Sequence, residues 1–133
     1  MLTKLRRPIS ILTGLAILAA LNVLGVVAAL DLAHPYWHMR ATLTGAGIGL
    51  AVLLIVFWLV DNLRPLAFLL GYLMILALPV ALITTFFAAR SFINAEDYLY
   101  TASRIWFIGY HVSATLLVVV PALIIASYLA DRE

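Results

Sequence analysis

The chain has 133 residues, of which 66% are hydrophobic and only 11% charged, with a net charge of +2 and no cysteine. A typical soluble domain carries about 25% charged residues, so this is the composition of a membrane protein. It excludes disulfides, thiolate metal sites and thiol catalysis. The small charge, placed beside apolar runs rather than in a stripe, excludes nucleic acid as a partner.

Lys4, Arg6 and Arg7 precede the first apolar run, 8–30. That start, with Val27-Ala28-Ala29 as a cleavage-like tripeptide, superficially resembles a signal peptide. The run is too long for a signal core and matches a later internal segment, so it is read as a retained span. The second run covers 35–60, the third 65–89 and the fourth 105–130. Each exceeds the ~20 residues that carry a helix across the hydrocarbon core. None alternates as a barrel strand does, and backbone amides in lipid must be satisfied within their own segment. Four transmembrane helices, in one domain, are therefore expected. The connections are short except for 90–104. There Asn94-Ala95-Glu96-Asp97, with Tyr98, Tyr100 and Trp106, is expected to form a short interfacial helix over one half of the bundle.

Lys4, Arg6, Arg7, Arg64 and Arg132 fall on one side of these spans and Arg40, Arg90 and Arg104 on the other. The positive-inside rule then puts both termini of this multi-pass chain in the cytoplasm. Tyr36, Trp37, Tyr98, Tyr100, Trp106 and Tyr110 gather at the opposite boundary, where amphipathic rings settle.

Trp37-His38-Met39-Arg40-Ala41-Thr42-Leu43 returns seventy-three residues later as Tyr110-His111-Val112-Ser113-Ala114-Thr115-Leu116. Arg7-Pro8, Leu12, Gly14, Ala20-Leu21 and Val23 return at an offset of fifty-seven as Arg64-Pro65, Leu69, Gly71, Ala77-Leu78 and Val80. This reads as a duplicated helical hairpin, units 1–62 and 63–133. Each unit crosses twice, so a pseudo-twofold axis along the membrane normal is expected. The second unit has sixteen extra residues in its outer loop, and it carries Pro79 and Pro121 where the first has Asn22 and Ile48. Prolines in mid-helix read as kinks.

His38, Thr42, Gly45 and Gly49 share a helical face, and small residues four apart let helices approach closely in lipid. His38 and His111 are therefore expected on inward faces at one depth. Two readings follow. In the sharper one they ligate a b-type haem between the second and fourth helices, with Arg104, two turns before His111, neutralising a propionate. In the other, each imidazole donates a hydrogen bond across a helix interface. His34, four residues before His38, suggests a further site: His34, His38 and His111 as zinc or copper ligands. Pro35 instead suits a helix start, with His34 in the loop before it. Arg40 and Arg104 are expected to pair with Asp31, Glu96 or Asp97, or to meet lipid phosphate. Asn22 is expected to bond between helices.

No acidic residue lies in the body of a span, which counts against a proton-coupled antiporter. No nucleophile set, P-loop or carboxylate cluster is present, so catalysis by this chain alone is not expected. The leading expectation is a small anchor or accessory subunit of a larger membrane complex, in electron transfer, with haem b and a quinone site nearby. Its size, four helices and histidines invite comparison with haem-bearing membrane anchor subunits of respiratory complexes, in architecture alone. The alternatives are an oligomeric channel or transporter, with Asn22, Tyr72, Thr84, Thr85 and Ser113 lining a path, and a structural subunit without cofactor.

Overall fold

A computed structural model describes residues 2–132, leaving Met1 and Glu133 outside the described residues. The chain runs α1 (Leu2–Val23), α2 (Val26–Ala29), α3 (His38–Asn62), α4 (Arg64–Ile93) and α5 (Tyr100–Ala130), with no strand among the described residues. Four of these helices, all but the single turn α2, are long and apolar enough to cross a membrane.

Glycine and proline set the boundaries where the apolar runs do not. The first run reaches residue 30, yet the helix breaks at Leu24-Gly25, where Gly25 takes φ 78°, a left-handed conformation that glycine adopts without strain. Pro35 does not open α3. It lies in the turn before it, where the Trp37 amide donates to the His34 carbonyl at 3.2 Å. Pro65 does sit in the first turn of α4, where its missing amide proton leaves nothing unpaired. Pro79 and Pro121 are accommodated inside α4 and α5, which run on past them.

The long loop and the interfacial helix expected at 90–104 are not formed. Those residues extend α4 to Ile93 and start α5 at Tyr100, leaving a turn of only 94–99. Carrying both helices on lets Ala88, Ala89 and Phe92 of α4 pack against Trp106 of α5. At about 1.5 Å per residue, the 30 residues of α4 and 31 of α5 make this hairpin longer than the 22 residues of α1 allow the first to be.

α5 is the hub. It packs against α1, α3 and α4, whereas α1 and α4 do not touch, and α1 meets α3 only narrowly. Each seam on α5 has a glycine where the backbones come closest. A Cβ on Gly14 of α1 would collide with the Val118 carbonyl oxygen. One on Gly45 of α3 would lie 2.5 Å from the Ala114 Cβ, and one on Gly49 3.0 Å from that of Val118. At the third seam the glycine is on α5 itself: a Cβ on Gly109 would strike the Thr85 hydroxyl of α4. Apolar side chains gain nothing by leaving lipid for one another, so van der Waals contact at such close crossings holds membrane helices together. The α1–α3 seam is filled differently, by larger side chains of the common core, Leu18 on α1 and Leu53 and Phe57 on α3. Arg7 closes its terminal end, 2.6 Å from Asp61 and stacked over Phe57.

Gly14 and Gly71 correspond in the repeat but are not equivalent in space: the nearest atom to a Cβ on Gly71 is 4.0 Å away. Gly14→Ala is therefore expected to destabilise the fold by roughly 1–3 kcal/mol, the cost of overpacking against rigid backbone. Gly71→Ala should be neutral or stabilising by up to about 1 kcal/mol, the helix-propensity gain. Thermal unfolding in micelles measures both; equal effects would remove the assigned role of Gly14.

Candidate functional site

Hydroxyls within the spans mostly satisfy themselves. Ser10, Thr13, Thr85, Ser91 and Thr115 each donate to the carbonyl four residues back, the partner always at hand where there is no water. Thr85 also meets Ser113 across α4 and α5 at 3.4 Å, and one larger group bonds between helices. Asn22 in the last turn of α1 meets His38 and Thr42, which lie one turn apart on α3, and Thr42 meets Tyr110 of α5.

The donors follow from the chemistry. The Asn22 Nδ2 amide donates back to the Leu18 carbonyl at 2.9 Å, which turns Oδ1 toward α3 as an acceptor. With Oδ1 as the acceptor, His38 Nε2–H donates to it. Thr42 donates to the same oxygen at 3.4 Å, and its own oxygen then accepts the Tyr110 hydroxyl at 2.5 Å. A closed chain results, Tyr110 to Thr42 to Asn22, with His38 joining from the side. Tyr110 is 1% exposed.

An aromatic lid covers this chain on the α4–α5 turn side. The Trp37 ring lies 5.7 Å from Trp106, 5.3 Å from Phe107 and 5.7 Å from Tyr110. Trp106 is buried, and its Nε1–H donates at 3.0 Å to the Leu32 carbonyl, which pins the 30–37 segment to α5. His34 belongs to this lid. Its ring stacks on Tyr36 at 5.3 Å and meets Trp106 edge-on at 5.5 Å, while Nδ1 accepts the Tyr36 amide at 3.2 Å.

His111 behaves unlike its repeat counterpart. Its Nδ1–H donates at 2.7 Å to the Phe107 carbonyl of its own helix, and the ring packs 4.4 Å from Phe107. The reason lies in the repeat: the position matching Asn22 is Pro79, which offers no side-chain acceptor. His38 touches Tyr110 and His111 touches Trp37, but no ring contact joins the two imidazoles. Arg104 lies apart from both, its guanidinium 4.8 Å above the Tyr100 ring. The structure thus brings His38 and Asn22 together, and leaves His34, His111 and Arg104 each with other partners. Among the described residues no three of His, Asp and Glu converge on one point. A haem ligated by His38 and His111 would have to break the Asn22 bond and open the seam where Gly45 abuts Ala114.

Of the expected ion pairs, Asp31 takes Arg90, at 3.4 Å, rather than Arg40 or Arg104. The residues expected to line a path are dispersed. Thr85 and Ser113 are buried and face each other at 3.4 Å, Asn22 is in the polar chain, and Tyr72 and Thr84 are exposed on α4. Tyr110 was missed as a polar participant, although its place one residue before His111 and its match to Trp37 put it on an inward face.

Asn22→Leu is expected to cost about 1–3 kcal/mol, because it strands the His38 and Thr42 donors. Asn22→Leu with His38→Leu should recover part of that loss, and His111→Leu should cost less than His38→Leu. Unfolding of the four variants in micelles checks the ordering, and a larger effect at His111 would contradict it. Compared with protein-family models, curated proteins and solved structures, the chain matches none.

Proposed function

We propose that this protein is a small multi-pass membrane subunit that accompanies a larger membrane complex and carries no reaction of its own. The observation behind this reading is where unbonded hydroxyls face. Thr44 on α3 and Tyr72 on α4 make no hydrogen bond and are exposed, Tyr72 by 66%. Tyr72 lies eight residues into α4, about 12 Å from its start, at a depth where lipid offers no partner. A second protein does offer one. α4 suits such a contact: only 6% of its spanning segment is buried within the chain, and its buried residues are Ala67, Thr85, Ala88 and Ala89.

The electron-transfer form of this reading assigns His38 and His111 to haem b, with Arg104 on a propionate and quinone nearby. It needs two rearrangements, at Asn22 and at the Gly45–Ala114 seam, that the cofactor-free form does not. We favour the cofactor-free form. We also infer that the two hairpins descend from one and have diverged: Ala41 and Ala114 are both buried, as an axis between α3 and α5 requires, while the other seams differ. The cytoplasmic placement of both termini rests on the lysine and arginine count alone.

Two measurements test the reading. A photoreactive side chain at Tyr72 is expected to cross-link one membrane protein reproducibly, whereas one at Leu12, exposed on α1, should not. A partner-free monomer at both positions would overturn the proposal. The purified protein should show no Soret absorption, with or without added haem. A Soret band lost in both His38→Ala and His111→Ala would instead establish the haem form, and ion flux from liposomes would establish a channel.

A further inference from the structure

Above the close crossing at Thr85 and Gly109, Ala88, Ala89 and Trp106 keep α4 and α5 packed on one side of the seam, while the other side is open. The space between them toward the 94–99 turn is a lateral groove of two adjoining depressions, about 700 and 470 Å³. Their shared lining is Thr84, Tyr100, Thr101 and Ile105. Both depressions are open along their length rather than enclosed. The walls are apolar, with Ile83 and Phe87 from α4 and Ile108 from α5.

The rim of this groove is positively polarised in two ways. Arg104 lines the smaller depression, stacks over Tyr100, and has no carboxylate partner. α5 begins at the rim with no side-chain cap: the first backbone bond of the helix is from Ser103 to Leu99, so the amides of Tyr100, Thr101 and Ala102 are left without acceptors. A long helix presents partial positive charge at that end. The acids of the neighbouring turn, Glu96 and Asp97, line neither depression. A charged rim at one end of an apolar channel that opens sideways matches an amphiphile with an anionic head.

We propose that the α4–α5 groove seats one phospholipid of the leaflet at the 94–99 end. Its phosphate is held by Arg104 and the free amides of the α5 N-terminus, and one acyl chain lies along Ile83, Phe87 and Ile108. The proposal rests on the reading that the chain spans a membrane, and it is independent of the protein partner inferred at Tyr72. Thr84 lines both depressions at their deeper end.

The test uses the full chain, purified in neutral detergent and titrated with palmitoyl-oleoyl phosphatidylglycerol, with bound lipid counted by native mass spectrometry. One lipid per chain is expected. Arg104→Gln should weaken retention about five-fold, the share of one arginine at an anionic lipid surface. Arg40→Gln, an exposed cation that lines neither depression, should leave it unchanged. Thr84→Trp, which fills the groove, should abolish the specific lipid while the helical circular dichroism stays intact. Equal losses in the two arginine variants would overturn the proposal by showing diffuse surface attraction. So would glycerol phosphate or inorganic phosphate competing at parity with the lipid, which would mean a free-anion site. Cross-linking of a second copy across the groove, with no lipid bound, would overturn it too. Because the partner is absent throughout, failure here and failure of the Tyr72 cross-link are separate results.

Discussion

The architecture depends on how closely α5 can be approached. Three helices lean on it, and at each crossing one backbone has no side chain: Gly14 against the Val118 carbonyl, Gly45 and Gly49 against Ala114 and Val118, Gly109 against Thr85. In lipid the hydrophobic effect does not drive helix association, so contact distance decides which pairs form. The result is a hub with spokes rather than four equal corners. α1 and α4 sit far apart, and α1 and α3, although consecutive spans, are spaced by leucine and phenylalanine side chains.

That spacing explains why the interhelical polar contacts gather where they do. Where glycine and alanine let backbones touch, side-chain hydroxyls turn back to their own helix, as Thr85 and Thr115 do. Where α1 and α3 stand off, there is room for Asn22, His38 and Thr42 to meet at one end and Arg7 and Asp61 at the other. The wider seam is joined by directional bonds, the narrow ones by packing to which Thr42–Tyr110 and Thr85–Ser113 each add a bond. Both solutions leave no buried side-chain polar atom unpartnered among the described residues.

The spans themselves were plain in the sequence, because length and apolarity are all a bilayer asks of a helix. The inward face of α3 was legible too, since Gly45 and Gly49 repeat at helical spacing and both lie buried. Asn22 stood out as the lone carboxamide in a span and does bond between helices. Less legible was which imidazole Asn22 would take. Matching motifs at His38 and His111 imply equivalent roles, but a side chain's partner is set by the neighbouring helix, and there Asn22 is answered by Pro79. Helix ends were missed for a related reason. Leu24-Gly25 breaks a run whose hydropathy continues, and 90–93 with 100–104 are polar yet helical because each helix of the α4–α5 hairpin supports the other. The burial of Trp106 was not legible, because the Leu32 carbonyl bonded to its indole lies seventy-four residues away in the chain.

The unequal hairpins have a further effect. α4 and α5 reach about 45 Å at 1.5 Å per residue, against a hydrocarbon thickness of about 30 Å, whereas α1 is only slightly longer than that layer. Bonded through Thr42 and Tyr110 and packed together along α5, the two hairpins cannot adjust independently. A tilt that submerges the long pair also drags the short one off its preferred depth, and a thicker bilayer relieves the first while straining the second. Helices of such unequal length do not match any single hydrocarbon thickness equally well.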